Sequence, residues 1–348
     1  MEGVSEADQN PAPAPQASTL MKGELKLEER NFYELLKEAV SARLGGEYRV
    51  TGKQVVKNNS VRLEALLIER DGTNIYPTIY VGDYYEEYLQ GTELGDIAEE
   101  VIRVYEACRD VKEEEFTVSP ESVRNHIYYR IVNRERNEEA LREMPHLEMG
   151  DFAIIFQCMM YQDGHPVGNV RIRKEHLGLW GLTEEELFLL AAKNTRQLLP
   201  PTIEPMEQVM RRILGELERQ EGEEASECSA GELRTILREG EQEKTMLPMY
   251  VLSNRYNSEG ATSLLYADYL DAFREQMGQD FYILPSSVHE VILVPEEAAP
   301  EYEDMCRMVK NINETQVPEQ EFLSDEVMLY SAFRRLIPGN LLTEAMCG

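Results

Sequence analysis

From Asn31 onward, apolar residues recur at Phe32, Leu35, Leu36, Ala39, Val40 and Leu44, the spacing of a helix with one buried stripe, and Gly45-Gly46 ends it. The pattern then changes period. Tyr48 to Val56 and Val61 to Glu69 read as extended, Asp71-Gly72 supplies a turn, and Ile75 to Val81 reads as a strand in which Pro77 restricts pairing to an edge or bulge. A helix follows, with Leu94, Ile97, Ala98, Val101, Ile102 and Tyr105 on one face.

Asp151 to Met160 is a continuous apolar run that a Gln162-Asp163-Gly164 turn joins to Asn169 to Arg173 as a hairpin. Thr183 with Glu186 three positions later forms a capping box flanked by Leu182 and Leu187, so a helix is expected from Glu184 to about Gln197. Pro200-Pro201 stops it. A further helix is expected from Pro205, with Met206, Val209, Met210, Ile213, Leu214 and Leu217 inward. Met249 to Ser253 and Ala261 to Leu265 read as another hairpin, followed by a helix using Tyr269, Leu270, Phe273 and Met277 and ending at Gly278.

The densest apolar stretch is Phe281 to Pro295, two runs separated by Pro285-Ser286-Ser287. Strand alternation puts Val288, Glu290, Ile292 and Val294 on one face and His289, Val291 and Leu293 on the other, so this strand should be central and covered on both sides. A last helix carries Tyr302, Met305, Cys306 and Val309. Hairpins feeding helices at 61–108, 152–198 and 249–277 indicate an α+β fold, a mixed or largely antiparallel sheet with helices packed on it.

Composition divides the chain further. Residues 1–24, rich in Pro, Ala, Ser and Gln, read as a disordered tail, and Met21 is an alternative start. The expected organisation is an N-terminal α+β lobe at 28–215, an acidic flexible insert at 216–246, a C-terminal α+β lobe at 247–332 packed with the first as one compound domain, and a tail at 333–348.

A net charge of -30, from 35 basic and 65 acidic residues, repels phosphate backbones and anionic membrane surfaces, so neither nucleic acid nor membrane is an expected partner. The arginines between Ser122 and Met144 are matched by glutamates, which points to a helix face held by intrahelical ion pairs. Five cysteines without a CxxC pair, and no apolar run long enough to span a bilayer, indicate a cytoplasmic protein in a reducing compartment.

Three stretches, Tyr76-Pro77-Thr78-Ile79-Tyr80 with the tyrosines after it, Ile127 to Asn133 with Met144-Pro145-His146, and Phe281 to Pro295, resemble a bacterial family of unknown function found in anaerobic Gram-positive organisms. The resemblance covers most of residues 28 to 330. It implies a bacterial cytoplasmic domain and brings no catalytic residue or ligand with it.

Candidate chemistry centres on Ser286, Ser287, His289 and Glu290. As a serine hydrolase site it meets a geometric obstacle: residues two apart on a strand are separated by roughly 6.6 Å of rise, and Glu290 faces away from His289. The histidines His126, His146, His165 and His176, with Glu148, Asp163 or Glu175, lack the HExxH spacing of a zinc site, and no Walker or GxGxxG loop is present. No metal and no cofactor is therefore expected. Tyr80, Tyr84, Tyr85 and Tyr88, near Tyr76, are candidates for a protein contact, since aromatic rings with a polar tip favour interfaces. The expected function is a non-catalytic protein-binding or regulatory domain, the alternative a hydrolase using His289 with Ser286 or Ser287. The sequence specifies no oligomeric state.

Overall fold

The computed structural model describes residues 17–70, 78–108, 124–162, 165–220, 234–235 and 247–331, with side chains left undescribed at 17–29, 107–108, 160–168, 218 and 220. The chain divides into two compact units, Met1–Val56 with Arg62–Glu114, and Lys57–Val61 with Glu115–Gly348.

The first unit contains α1 (Ala17–Leu44), β1 (Tyr48–Val56), β2 (Arg62–Arg70), β3 (Thr78–Tyr80), α2 (Gly82–Leu89) and α3 (Leu94–Cys108). Its strands form one antiparallel sheet in the order β1-β2-β3. The apolar stripe read from Phe32 onward is what the sheet needs: Phe32, Leu36 and Val40 of α1 and Ile97, Ala98 and Val101 of α3 are buried with Leu66, Ile68 and Ile79. Of the tail read at 1–24, residues 1–16 lie outside the described residues, whereas 17–24 are the first turns of α1. The Asp71-Gly72 turn and the front of the Ile75 strand also lie outside them.

The second unit holds β4 (Ile127–Asn133), α4 (Glu138–Leu141), β5 (His146–Met149), β6 (Phe152–Gln162), β7 (His165–Arg171), α5 (Lys174–Trp180), α6 (Glu184–Leu198), β8 (Pro201–Pro205), α7 (Met206–Gln220), β9 (Tyr250–Asn254), α8 (Ala267–Met277), β10 (Phe281–Pro285), β11 (Val291–Pro295), α9 (Tyr302–Thr315) and β12 (Met328–Tyr330). One sheet runs β4-β6-β5 with β7 also on β6; the other runs β12-β10-β11-β9-β8. All pairs among the described strands of this unit are antiparallel, in keeping with an α+β fold. The 216–246 stretch does not separate two sheets, because β8 before it pairs with β9 after it.

β11 is the middle strand of five and is covered on both faces. Phe281, Ile283, Val291 and Leu293 enter the large core shared with Ile127, Ile131, Phe156 and Leu270, while Leu284, Ile292 and Val294 pack with Met305 and Val309 of α9. The Thr183 box forms as read: its Oγ1 accepts from Glu186 N–H at 3.2 Å, and Thr183 N–H donates to the Glu186 carboxylate at 2.9 Å. Gly278 caps α8 in the left-handed conformation, φ 71°.

Two sequence expectations are corrected and a third is extended. The arginine-rich segment is not one helix face; its centre, Ile127–Asn133, is β4, whose aromatic and β-branched residues pack on β6, and of the arginines only Arg130 lies within the strand. Ala261 to Leu265 is not a strand but part of a 3-10 turn, Gly260–Leu265, entered through left-handed residues Asn257 and Glu259, and β9 pairs instead with β11 and β8. Pro200-Pro201 does stop α6, but Pro201 also opens β8, an edge strand where a missing N–H costs no ladder bond. The exposed edge of β4 is closed by side chains of α6: Asn194 Nδ2 donates to Ile127 O at 3.0 Å and Tyr129 N–H donates to Thr195 Oγ1 at 3.1 Å.

Candidate functional site

β11 begins at Val291, so Ser286 to Glu290 are not strand residues; they form the connection from β10. Its polar groups are occupied by local geometry. Ser287 N–H donates to Glu290 O at 3.1 Å, and the Ser287 hydroxyl accepts the His289 N–H at 3.0 Å, which closes a short serine turn. Val288 N–H donates to Glu321 O at 2.8 Å, and Ser253 Oγ of β9 donates to His289 O at 2.8 Å.

The imidazole is placed by residues distant in sequence. His289 Nδ1 accepts the N–H of Glu259 at 3.1 Å, which leaves the proton on Nε2, and Nε2 lies 3.7 Å from Glu321 Oε1. Ser287 Oγ meets the main chain of His289 and not its ring, and Ser286 is half-buried. Glu290 is half-buried, and burial pushes its carboxyl above the usual range, with His289 acting against the shift and Glu321 adding to it.

Glu259 ties this turn to the first sheet of the unit. It holds φ 55°, a conformation unfavourable for a side chain with a Cβ, and its carboxylate lies 2.6 Å from Arg130 Nη1, with both side chains 13 % exposed. Tyr128, on the same face of β4, donates to Gln157 Oε1 at 2.6 Å, and its phenol is held far above the ordinary value, first by burial and then by the Glu259 charge. Arg130 Nε is buried without a hydrogen-bond partner among the described residues. Gly260 completes the arrangement, because a Cβ there would fall 2.2 Å from Ser253 Oγ and 2.4 Å from His289 O. Sequence reasoning found the Ser-Ser-His-Glu group but missed Arg130, Glu259 and Glu321; the left-handed Glu259 before Gly260 left no readable motif.

The remaining candidates are dispersed. His146 Nδ1 is 3.0 Å from Met144 O, and His176 Nδ1 accepts Arg173 N–H at 3.1 Å. His126 is half-buried, and Asp163 and the His165 side chain lie outside what is described. Among the described residues no group of three or more His, Cys, Asp or Glu side chains is arranged to hold a metal ion. In the first unit, Tyr85 is buried with its ring 5.3 Å from Phe32, Tyr80 and Tyr84 are half-buried, and Tyr88 is 41 % exposed with its ring 4.9 Å from Phe32. Burial and neighbouring carboxylates, Glu100 foremost, raise the Tyr84 phenol.

These features define an α+β protein of antiparallel sheets whose polar turn is knitted to both sheets of its larger unit. The chain belongs to the family of unknown function DUF5688, whose model matches residues 29–332. No curated protein and no solved structure matches it. Among the described residues no helix is long and apolar enough to cross a membrane.

Proposed function

We propose that this chain is a non-catalytic, cytoplasmic protein-binding domain and that the end of α2 carries the contact. The observation behind this reading is an exposed apolar group on the first unit: Tyr88 at 41 %, Leu89 at 59 % and, one turn along α1 from Phe32, Leu35 at 49 %. Exposed Glu34, Glu38, Asp83, Glu86 and Glu87 surround these positions in sequence, which favours a partner with an apolar centre and a Lys/Arg rim. The non-catalytic part is supported by His289, whose Nδ1 is taken by a backbone N–H and whose Nε2 faces a carboxylate, so no hydroxyl is poised for deprotonation.

The test is affinity capture from the native cell with the full chain, beside a Tyr88→Glu/Leu89→Glu variant checked for folding by circular dichroism. Loss of the captured protein by the variant alone is expected. An unchanged captured set defeats the α2 contact, and turnover of an ester or amide panel that disappears in a folded His289→Ala variant transfers the function to the hydrolase reading.

A further inference from the structure

β1 is an edge strand, and its pairing with β2 runs without a register shift over all nine residues, Tyr48 to Val56. Antiparallel ladders alternate, so every second residue turns its N–H and C=O away from the neighbour. The parity is fixed at two points. Tyr48 N–H bonds Gly45 O at 3.3 Å, away from β2, and Val81 N–H bonds Glu64 O at 3.0 Å, which turns Glu64 toward β3 and Ala65 toward Lys53. Val50, Gly52, Gln54 and Val56 therefore direct their backbone groups outward, and none of these groups has a hydrogen-bond partner among the described residues.

Three of the usual protections of an open edge, shortness, proline and a bulge, are missing here. The strand is long, carries no proline and has no bulge, and Gly52, Lys53, Gln54 and Val56 are exposed. What it carries is charge of the less common sign. Arg49 and Lys53 are its only ionisable side chains apart from Tyr48, both are exposed, and among the described residues neither has a carboxylate within ion-pairing distance, in a chain of net charge -30.

We propose that the outer edge of β1 binds an extended acidic peptide segment as an added strand. Outward N–H and C=O groups supply the ladder, and Arg49 and Lys53, four positions apart on one face, select acidic residues at the same spacing with a β-branched residue opposite Thr51. Two copies pairing edge to edge would bring these cations together, so the same charges disfavour a second chain as occupant. The acidity of the whole chain opposes an anionic ligand at long range, but beyond about 8 Å it is screened at physiological salt. The inference is independent of the α2 contact, and a Tyr88→Glu/Leu89→Glu variant should bind such a peptide unchanged.

The probe is a short peptide of alternating valine and threonine with two glutamates four positions apart, titrated into the full chain at physiological salt by fluorescence anisotropy. Amide exchange is read in parallel. Saturable binding is expected, with new protection at Val50, Gly52 and Gln54, a loss of about tenfold or more in the Arg49→Glu/Lys53→Glu variant, and abolition when alternate peptide nitrogens are methylated. Absence of binding, binding indifferent to methylation or to the charge reversal, or protection of these amides by concentration-dependent self-association without peptide would each overturn the proposal.

Discussion

Asn59 gives the sharpest test of how the second unit is held together. Its side chain is nearly saturated: Nδ2 donates to Glu319 O at 2.8 Å and to Phe322 O at 2.7 Å, and Oδ1 accepts from Asn137 Nδ2 at 2.9 Å. The residue is 5 % exposed and sits at φ 58°, where asparagine is tolerated and alanine is not. Removing those side-chain bonds at about 1 kcal/mol each, and holding alanine left-handed for about 1 kcal/mol more, gives a loss of about 4 kcal/mol for Asn59→Ala. Asn59→Gly relieves the backbone and should lose about 3 kcal/mol, whereas Asn58→Ala removes one bond, Nδ2 to Gln320 O at 2.8 Å, and should lose about 1 kcal/mol. Urea unfolding followed by fluorescence suits the question, because Trp180 is the only tryptophan in the chain and packs on the main core of this unit. If Asn59→Ala costs no more than Asn58→Ala, or if glycine proves worse than alanine, the accounting is wrong.

The other predictions concern the polar turn and the core. Arg130→Ala should cost about 3–5 kcal/mol in the same Trp180 assay by stranding the half-buried Glu259 carboxylate, and an Arg130→Met/Glu259→Met double variant should cost less than that single one. Gly260→Ala should destabilise by about 3 kcal/mol, since its Cβ would meet main-chain atoms of His289 and Ser253 and not only a movable side chain. Glu290, raised by burial, binds its proton at higher pH folded than unfolded, so the unit gains stability as pH falls from the folded toward the unfolded value; Glu290→Gln should flatten that slope and equal or exceed the parent at pH 7. Cys158 is buried and pushed up to about 11, so site-resolved alkylation at neutral pH should reach it only after unfolding.

What could be read from the sequence depended on how local the cause was. The Thr183 box, the Gly278 cap and the two-sided strands Phe281–Pro285 and Val291–Pro295 each carry their determinants within a few residues and form in the structure, although the second strand begins three residues later than Val288. Ile127 to Asn133 was misread because charge counting over a wide window hid a short β-branched run that only pairing with β6 makes stable. β8 escaped because prolines at both ends resemble a loop, although an edge strand accepts them. Partners of the Asn59 side chain lie 78, 260 and 263 positions away, and those of the His289 ring about thirty, with no spacing for a motif to record.

The same separation explains why a serine-serine-histidine-glutamate run need not announce catalysis. In the β10–β11 connection the serine and histidine groups are spent on structure: Ser253 secures the His289 carbonyl, Ser287 closes its own turn, and the imidazole receives the backbone of a strained Glu259 that Arg130 anchors. A hydrophobic residue at 289 could fill the space but could not accept that N–H, and the left-handed Glu259 would lose one of its two fixings. The turn is therefore better understood as the joint between the two sheets of the larger unit, and recognition is sought on surfaces whose polar groups remain unspent, of which the outer edge of β1 is the most extended among the described strands.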